Sequence, residues 1–412
     1  MNKALANVAL KFCTLLFSIL ILLGCSLLPK GSPERAVSNT VKIASFNVSM
    51  EARNYSSADE NQSAQQLSKG PVLLMKHLQS GNHQQIKNIA EIIQRIQPDI
   101  ILLNEFDYID NPKKGVEAFI KNYLNKSQNG AEAIDFPYYF YAQSNTGLPT
   151  TFDLDNNGKA EGFGADAHGF GLYHGHYGMV LLSKYPIVQK EIRTFQRFLW
   201  SDMPNALKPI DPETNLPFYD ELEWANLRLS SKSHWDVPIK INNKTVHVLA
   251  SHPTPPVFDG DEDRNGKRNH DEIRFWLDYV SPKQASYIYD DRCIKGGLNE
   301  KAEFVILGDL NASPDRIEDK QHALHQLITS KRVNESKIPA SRAGRENRPD
   351  NVYADFHTAS WAARVDYVMP SSGFEIIDNG VFWPTKNDDL HRLVKDRASS
   401  SDHFMVWQTL RF

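Results

Sequence analysis

Short apolar runs of strand-forming residues, most of them meeting a polar side chain at one end, recur along the chain and dictate what it can fold into. Val41–Asn47, Ile100–Leu103, Met179–Leu182, Phe304–Leu307, Val365–Met369 and Phe404–Thr409 are of this kind. Runs of this length, bounded by turn residues, suit buried strands better than helices. Ile239–Ile241 and Thr245–Ala250 flank Asn242-Asn243-Lys244, which predicts a hairpin. Helical periodicity is rarer. Asn82 reads as a cap, with Ile86, Ile89, Ala90, Ile93 and Ile96 following at helical spacing until Pro98 breaks the helix. Glu272–Tyr289 reads as a second helix that Pro282 should kink or split. Two polar insertions fall around Asn54–Lys69 and Lys331–Asn351, and no internal repeat is visible. Many strands and few long helices predict stacked sheets flanked by helices. The 412 residues would allow two domains or one large α/β unit, and either core is big enough to need no disulfide.

Several of the strand ends carry acid, amide or imidazole groups. These are Asn47 in "IASFNVS", Glu105 in "PDIILLNEFD", His252 in "HVLASHP", Asp309 and Asn311 in "FVILGDLNASP", Asp366 in "ARVDYVMP", and Asp402 and His403 in "SSSDHFMVW". A strand end holds a side chain rigidly while leaving it open to a substrate. Any one of these residues alone would be an ordinary turn or capping residue. Asp309 and Asn311, two apart on an extended end, are expected to point to the same side.

Together and in this order, the motifs resemble the endonuclease/exonuclease/phosphatase superfamily, whose fold is that of deoxyribonuclease I. The resemblance runs from roughly Val41 to Phe412, and "GDLNASP", "SSDHFMVW" and "HYGMVLLSKYPI" are its most specific parts. It implies a four-layer α/β/β/α sandwich with two mainly antiparallel sheets flanked by helices. It also implies hydrolysis of a phosphodiester or phosphomonoester by in-line attack of water. Oxygen-only ligands suit Mg²⁺ or Mn²⁺, which lower the pKa of bound water and neutralise phosphate charge. By the resemblance Glu105 is the principal metal ligand, helped by Asn47 and Asp402. Asp309 and Asn311 would orient the attacking water and stabilise the phosphoryl group. His403, held in its tautomer by Asp366, is the second key imidazole, and His252 would bond a phosphate oxygen or the leaving group. Some members carry a second acid two residues after the first-strand Asn. Ser49 stands there in this chain, so a single catalytic ion is expected.

The stretch after His252 spells a second motif. Asp261, Asp263, Asn265, Gly266 and Glu272 have EF-hand spacing, but Pro253, Pro255 and Pro256 forbid the leading helix. Two readings stay open: a Ca²⁺ loop without that helix, or an ion-free turn on the pocket rim that offers Arg268, Asn269 and His270 to substrate. Asp153, Asp155, Asn157 and Gly158 repeat the opening spacing, with Gly164 where a closing acid would stand. His174 and His176 could ligate a metal or be structural. Arg268 and Arg364 could grip phosphate or be solvated.

The first 24 residues read as a signal segment, and Leu22-Leu23-Gly24-Cys25 resembles a bacterial lipobox. The expected domains are residues 1–24 as lipoprotein signal peptide, 25–39 as linker after a lipidated Cys25, and 40–412 as the catalytic domain. An ordinary signal peptide or N-terminal anchor is the alternative. Cys25 lipidation would tether an exported monomer in the bacterial cell envelope, at the outer rather than the inner membrane. Of the three cysteines only Cys293 would then stay free, so no internal disulfide is expected. Removing the two lysines of residues 1–24 takes the formal net charge from −4 to −6. With the tether, that favours a small or lipid-derived phosphoester over duplex nucleic acid. The nuclease remains an alternative, as does a catalytically silent binding module on the same fold.

Overall fold

The computed structural model describes residues 39–55, 70–317, 319 and 321–412. The expected signal segment, Cys25 and all of the linker except Asn39 lie outside the described residues, as do Ser56–Lys69 of the first polar insertion. Among the described residues no helix is long and apolar enough to cross a membrane.

Among the described residues eleven strands form two sheets. The first has the order β10 (Glu375–Val381), β11 (Val406–Arg411), β1 (Thr40–Met50), β2 (Ile100–Phe106), β4 (Met179–Ser183) and β3 (Tyr138–Phe140). The second runs β5 (Arg193–Thr194), β6 (Trp235–Ile241), β7 (Lys244–Ala250), β8 (Glu303–Asp309) and β9 (Asp366–Pro370). Most neighbours are antiparallel, but β1 pairs with β2 and β7 with β8 in parallel. Each sheet thus brings two neighbouring strands to the same end with the same polarity. Those four ends carry Asn47, Glu105, His252 and Asp309.

Burial shows why four layers form. Along β8, Val305 and Leu307 join the cluster shared with β1 and β2, whereas Phe304 and Ile306 join the cluster under the helices. In β9, Val368 faces one cluster and Tyr367 and Met369 the other. A strand buried on both faces needs cover on both faces, and successive side chains supply it alternately. On the outside of the first sheet, α1 (Gly70–Ser80) and α2 (Gln84–Ile96) contribute Leu74, Leu78, Ile86, Ile89 and Ile93. Beyond the second sheet, Ile273, Phe275, Trp276 and Tyr279 come from one long helix, Arg264–Tyr279, and Leu324 and Leu327 from a short one, Ala323–Ile328. This is the expected α/β/β/α sandwich.

Three local expectations change. The first residue before α2 is His83 rather than Asn82, and its side chain makes no capping bond. Gln97 ends that helix in a left-handed conformation, ahead of Pro98. The second long helix begins at Arg264, not Glu272, and stops at Tyr279, short of Pro282. Gly266, which reads as the sharp turn of a calcium loop, lies instead in the first turn of this helix. A Cβ there would sit 2.0 Å from the Asp263 carboxylate, so a side chain at this position would displace that carboxylate. Finally, the polar insertion Lys331–Asn351 contains a short helix, Arg342–Asn347, capped by Ser341.

Candidate active site

Both sheets deliver side chains to one cavity of about 1380 Å³, lined by Glu105, His252, Asp309, Asn311, Asp402 and His403 among others. Its centre is the carboxylate of Asp309 at the end of β8. Asn47 Nδ2 donates to Asp309 Oδ2 at 3.1 Å, and His252 Nε2 and His403 Nε2 approach the same oxygen at 3.5 and 3.6 Å. Three nitrogens from three parts of the chain therefore meet on one buried oxygen. Asn104, next to Glu105, ties the sheets together: its Oδ1 accepts from Asp309 N (3.2 Å) and its Nδ2 donates to Ser251 O (3.4 Å). Gly308 makes the approach of β8 to His252 feasible. Its φ is +152°, and a Cβ would lie 2.0 Å from Ser251 O.

His403 Nδ1 donates to Asp366 Oδ2 at 2.9 Å, and Thr358 Oγ1 donates to the same oxygen at 2.8 Å. Burial alone would lower the His403 pKa, but the carboxylates of Asp366 and Asp309 override it and raise it to about 10. These carboxylates favour the imidazolium form of His403, whose ring packs edge-to-face with Trp361. Burial raises the Asp309 pKa, against the pull of His403, to about 6. For His252, burial, then Lys232 and His403, push the pKa well below its ordinary value, so this ring is neutral. Burial and neighbouring charge separate these two histidines into different protonation states, as in sites that divide acid and base roles.

A second cluster adjoins the first. Arg397 lies 3.1 Å from Asp402, 3.5 Å from Glu51 and 3.7 Å from Glu105. Burial raises the Glu105 pKa, and Arg397 opposes the shift. Glu105 Oε2 is buried and, among the described residues, makes no hydrogen bond. Its φ of +56° is left-handed, a conformation that costs a non-glycine residue roughly 1–3 kcal/mol and collects at functional sites. Among the described residues these three carboxylates gather around one guanidinium rather than within 4.8 Å of one another, and their oxygen donors are of the kind that suits Mg²⁺ or Mn²⁺. Asn47 stands between the clusters, its Oδ1 accepting from Ser49 N.

Glu51 is the acid that position 49 lacks. The register between β1 and β2 shifts between Asn47 and Met50, and Ser49 has φ +47°. This bulge carries the side chain of position 51 into the cavity. Ser49 Oγ donates to Asp402 Oδ1 instead. A count of two residues along a regular strand misses Glu51; its signal is an acid four residues beyond Asn47. Buried His176 lies 3.0 Å from Glu51 and stacks between Tyr173 and Tyr177, so it supports that carboxylate. Lys232, also in the cavity wall, had no sequence signal beyond its position in "SSKSH".

Asn311 departs from the extended geometry expected of it. Its φ is +52°, its N–H donates to Asp309 Oδ1 (2.9 Å) and its Nδ2 to Pro253 O (3.1 Å). It reaches the same cavity by a turn rather than along the strand.

Among the described residues Asp261, Asp263 and Glu272 do not gather as a ligand group: Asp261 and Asp263 precede the helix that starts at Arg264, Asn265 lies in its first turn, and Glu272 sits about two turns into it. Asn265 Nδ2 donates to Val257 O, and its N–H to Asp259. Glu272 points inward, where Oε1 accepts from Ser231 N and Oγ (2.7 and 3.1 Å) and Oε2 from Thr254 N (2.6 Å). One buried carboxylate thus fastens the segments carrying Lys232 and His252. We expect Glu272→Ala to destabilise the protein by about 2–5 kcal/mol, since it strands buried donors. Denaturant unfolding measures this, and Ca²⁺ should leave the midpoint of the wild type unchanged through this segment.

The rim residues also differ from expectation. Arg268 donates to the carbonyls of Leu229, Arg228 and His168, and Asn269 to those of Thr254 and Leu310. His270 pairs with Asp271, and Arg364 with Glu335. These groups brace loops rather than wait for substrate. In the other acidic loop, Asp153 and Asp155 meet Asp166 rather than a residue at position 164, and Asp153 accepts from the N–H groups of Asn157 and Gly158.

The sequence matches the Endonuclease/Exonuclease/phosphatase family over residues 44–403, and the chain belongs to that family. Similar solved structures include an endonuclease/exonuclease/phosphatase from Beutenbergia cavernae DSM 12333, at 16% identity and TM-score 0.48, covering 90% of this chain and 72% of that one. The human Nocturnin catalytic domain with bound sulfate gives 12% identity and TM-score 0.43, covering 91% and 95% of the two chains. A mutant beta toxin from Staphylococcus aureus with bound magnesium ions gives 15% and 0.41, covering 89% and 98%. No curated protein sequence matches.

Proposed function

We propose that the protein is a divalent-metal-dependent phosphoesterase that hydrolyses its substrate by in-line attack of water. The observation that carries this reading is the convergence of Asn47, His252 and His403 on Asp309 beside the Glu51–Glu105–Asp402 cradle. Membership of a family named for nucleases and phosphatases supports it.

Glu105, Glu51 and Asp402, with Asn47, would hold Mg²⁺ or Mn²⁺. When bound, such an ion supplies Lewis-acid stabilisation of phosphoryl charge and a more acidic water. The chain's own groups do the rest. Asp309, ionised above about pH 6, accepts a proton from the attacking water. His403 stays protonated and presents a fixed positive charge to the phosphoryl oxygens, with Asp366 holding the ring. Neutral His252 contributes a hydrogen bond without a charge. With Asp309 as the proton acceptor, His403 acts chiefly as a stabiliser of phosphoryl charge.

For the substrate we favour a small or lipid-derived phosphoester over duplex nucleic acid. Phe170, Val257 and Phe258 line the cavity mouth and are exposed, Phe258 by 88%. Such a rim suits a substrate with an apolar portion. The reading includes export and tethering of a monomer through Cys25 in the cell envelope, at the outer rather than the inner membrane, supported by Leu22-Leu23-Gly24-Cys25. A panel of p-nitrophenyl phosphate, bis(p-nitrophenyl) phosphate, inositol phosphates, sphingomyelin and other phospholipids, plasmid DNA and RNA tests it. Faster turnover of a small or lipid phosphoester is expected. Preference for DNA or RNA would make the protein a nuclease, and no turnover of any would leave the silent binding module.

A further inference from the structure

Lys232 is a buried cation that nothing so far has used. Its side chain lines the cavity with His252, Asp309 and Asn311, and the residue is 5% exposed. Among the described residues its ammonium makes one hydrogen bond, a long one of 3.4 Å to Pro253 O, and no ion pair. An ammonium has three donors, so most of its capacity is unspent. Burying such a charge is costly unless an anion answers it. Burial lowers its pKa, while the more distant carboxylates of Glu272, Asp309 and Glu105 oppose that shift.

The backbone that carries Lys232 is fastened from several directions. Asn145 N donates to Lys232 O (2.8 Å), and Asn145 Nδ2 to Ser230 O (2.8 Å). Glu272 holds Ser231, and His234 bridges Ser230 Oγ and Glu272 O. Gly169 packs so closely that a Cβ there would lie 1.9 Å from Ser231 O. A rigid seat beneath an under-bonded charge is how a binding group is preorganised. His252, close by, also has a buried Nδ1 with no hydrogen-bond partner among the described residues. At this side of the cavity Lys232 is therefore under-bonded and His252 Nδ1 has no hydrogen-bond partner among the described residues.

We propose that Lys232 binds an anionic non-bridging oxygen of the substrate's phosphoryl group, beside His252. The inference rests on the phosphoesterase reading for its ligand class, but binding alone tests it. His252 is neutral, so Lys232 is the full charge on this side, complementing His403 and the Glu51–Glu105–Asp402 cradle.

The test is calorimetric titration of inorganic phosphate into the full-length protein, with Mg²⁺ and after chelation, for wild type, Lys232→Met and Lys232→Arg. Lys232→Met should weaken phosphate binding about tenfold or more, the size of one charge-assisted hydrogen bond, and leave Mn²⁺ affinity as in wild type. Lys232→Arg should retain part of the phosphate affinity. Wild-type phosphate affinity in Lys232→Met, no phosphate binding by wild type, or equal loss of Mn²⁺ affinity would each overturn the proposal. Should Lys232→Met fail to fold, reductive methylation of the wild type decides: phosphate should protect Lys232 specifically, and absence of protection counts against it. A protein that binds phosphate through Lys232 yet turns over no phosphoester removes the enzyme reading and leaves this one standing.

Discussion

His403→Gln lowers kcat for phosphoester hydrolysis about 10²–10⁴-fold, and Asp309→Asn does the same. The two side chains are a unit. The charge on His403 is maintained by Asp366 and Asp309, and Asp309 in turn is held below a fully buried carboxyl's pKa by His403. Removing either one takes away the environment that makes the other useful. The double variant is therefore expected to be about as slow as the worse single variant, because groups that act together are strongly non-additive. Steady-state kinetics on all four proteins checks this. Losses that multiply in the double variant would mean that the residues act separately.

Glu105→Gln weakens Mn²⁺ binding by more than about 100-fold, exceeding the 10–100-fold typical of residues one step removed from a metal. The same change is expected to raise the melting temperature of the metal-free protein. Burial raises the Glu105 pKa, which means the ionised carboxylate is less comfortable folded than unfolded at neutral pH. Its neutral amide counterpart removes that penalty, and Glu51 and Asp402 remain to hold Arg397. Calorimetry with Mn²⁺ and a thermal melt in chelator measure the two effects. A stability gain coupled to loss of metal is what a buried carboxylate kept for metal binding should show. A lower melting temperature with unchanged Mn²⁺ affinity would identify Glu105 as a structural residue.

How much of this was legible in the sequence depended on distance along the chain. The strand ends were, because a short apolar run and a polar stop are local properties. Asn47, His252, Asp309, Asp366 and His403 all fall on or beside the ends of strands read from sequence, and they meet in space. Three errors have separate physical causes. Glu51 was missed because a bulge after Asn47 shifts the register, and bulges leave no mark in a count of residues. The calcium spacing from Asp261 to Glu272 was sound as text. It gave way to a helix whose Ile273, Phe275, Trp276 and Tyr279 are buried in the core, and tertiary burial overrides local turn signals. Asn311 lies past the end of its strand, where extended geometry no longer applies. Lys232 and Arg397 come from segments without periodicity, so only the folded chain brings them to the cavity.

The central claim is that this cavity cleaves phosphoesters with the help of a divalent ion. The most direct measurement is the initial rate of bis(p-nitrophenyl) phosphate and p-nitrophenyl phosphate hydrolysis by the purified protein, taken with Mn²⁺ or Mg²⁺, after EDTA, and after restoring the metal. The account predicts hydrolysis that EDTA abolishes and added metal restores, and that His403→Gln lacks under every condition. Undiminished hydrolysis in EDTA, or equal rates for His403→Gln and wild type, would contradict it.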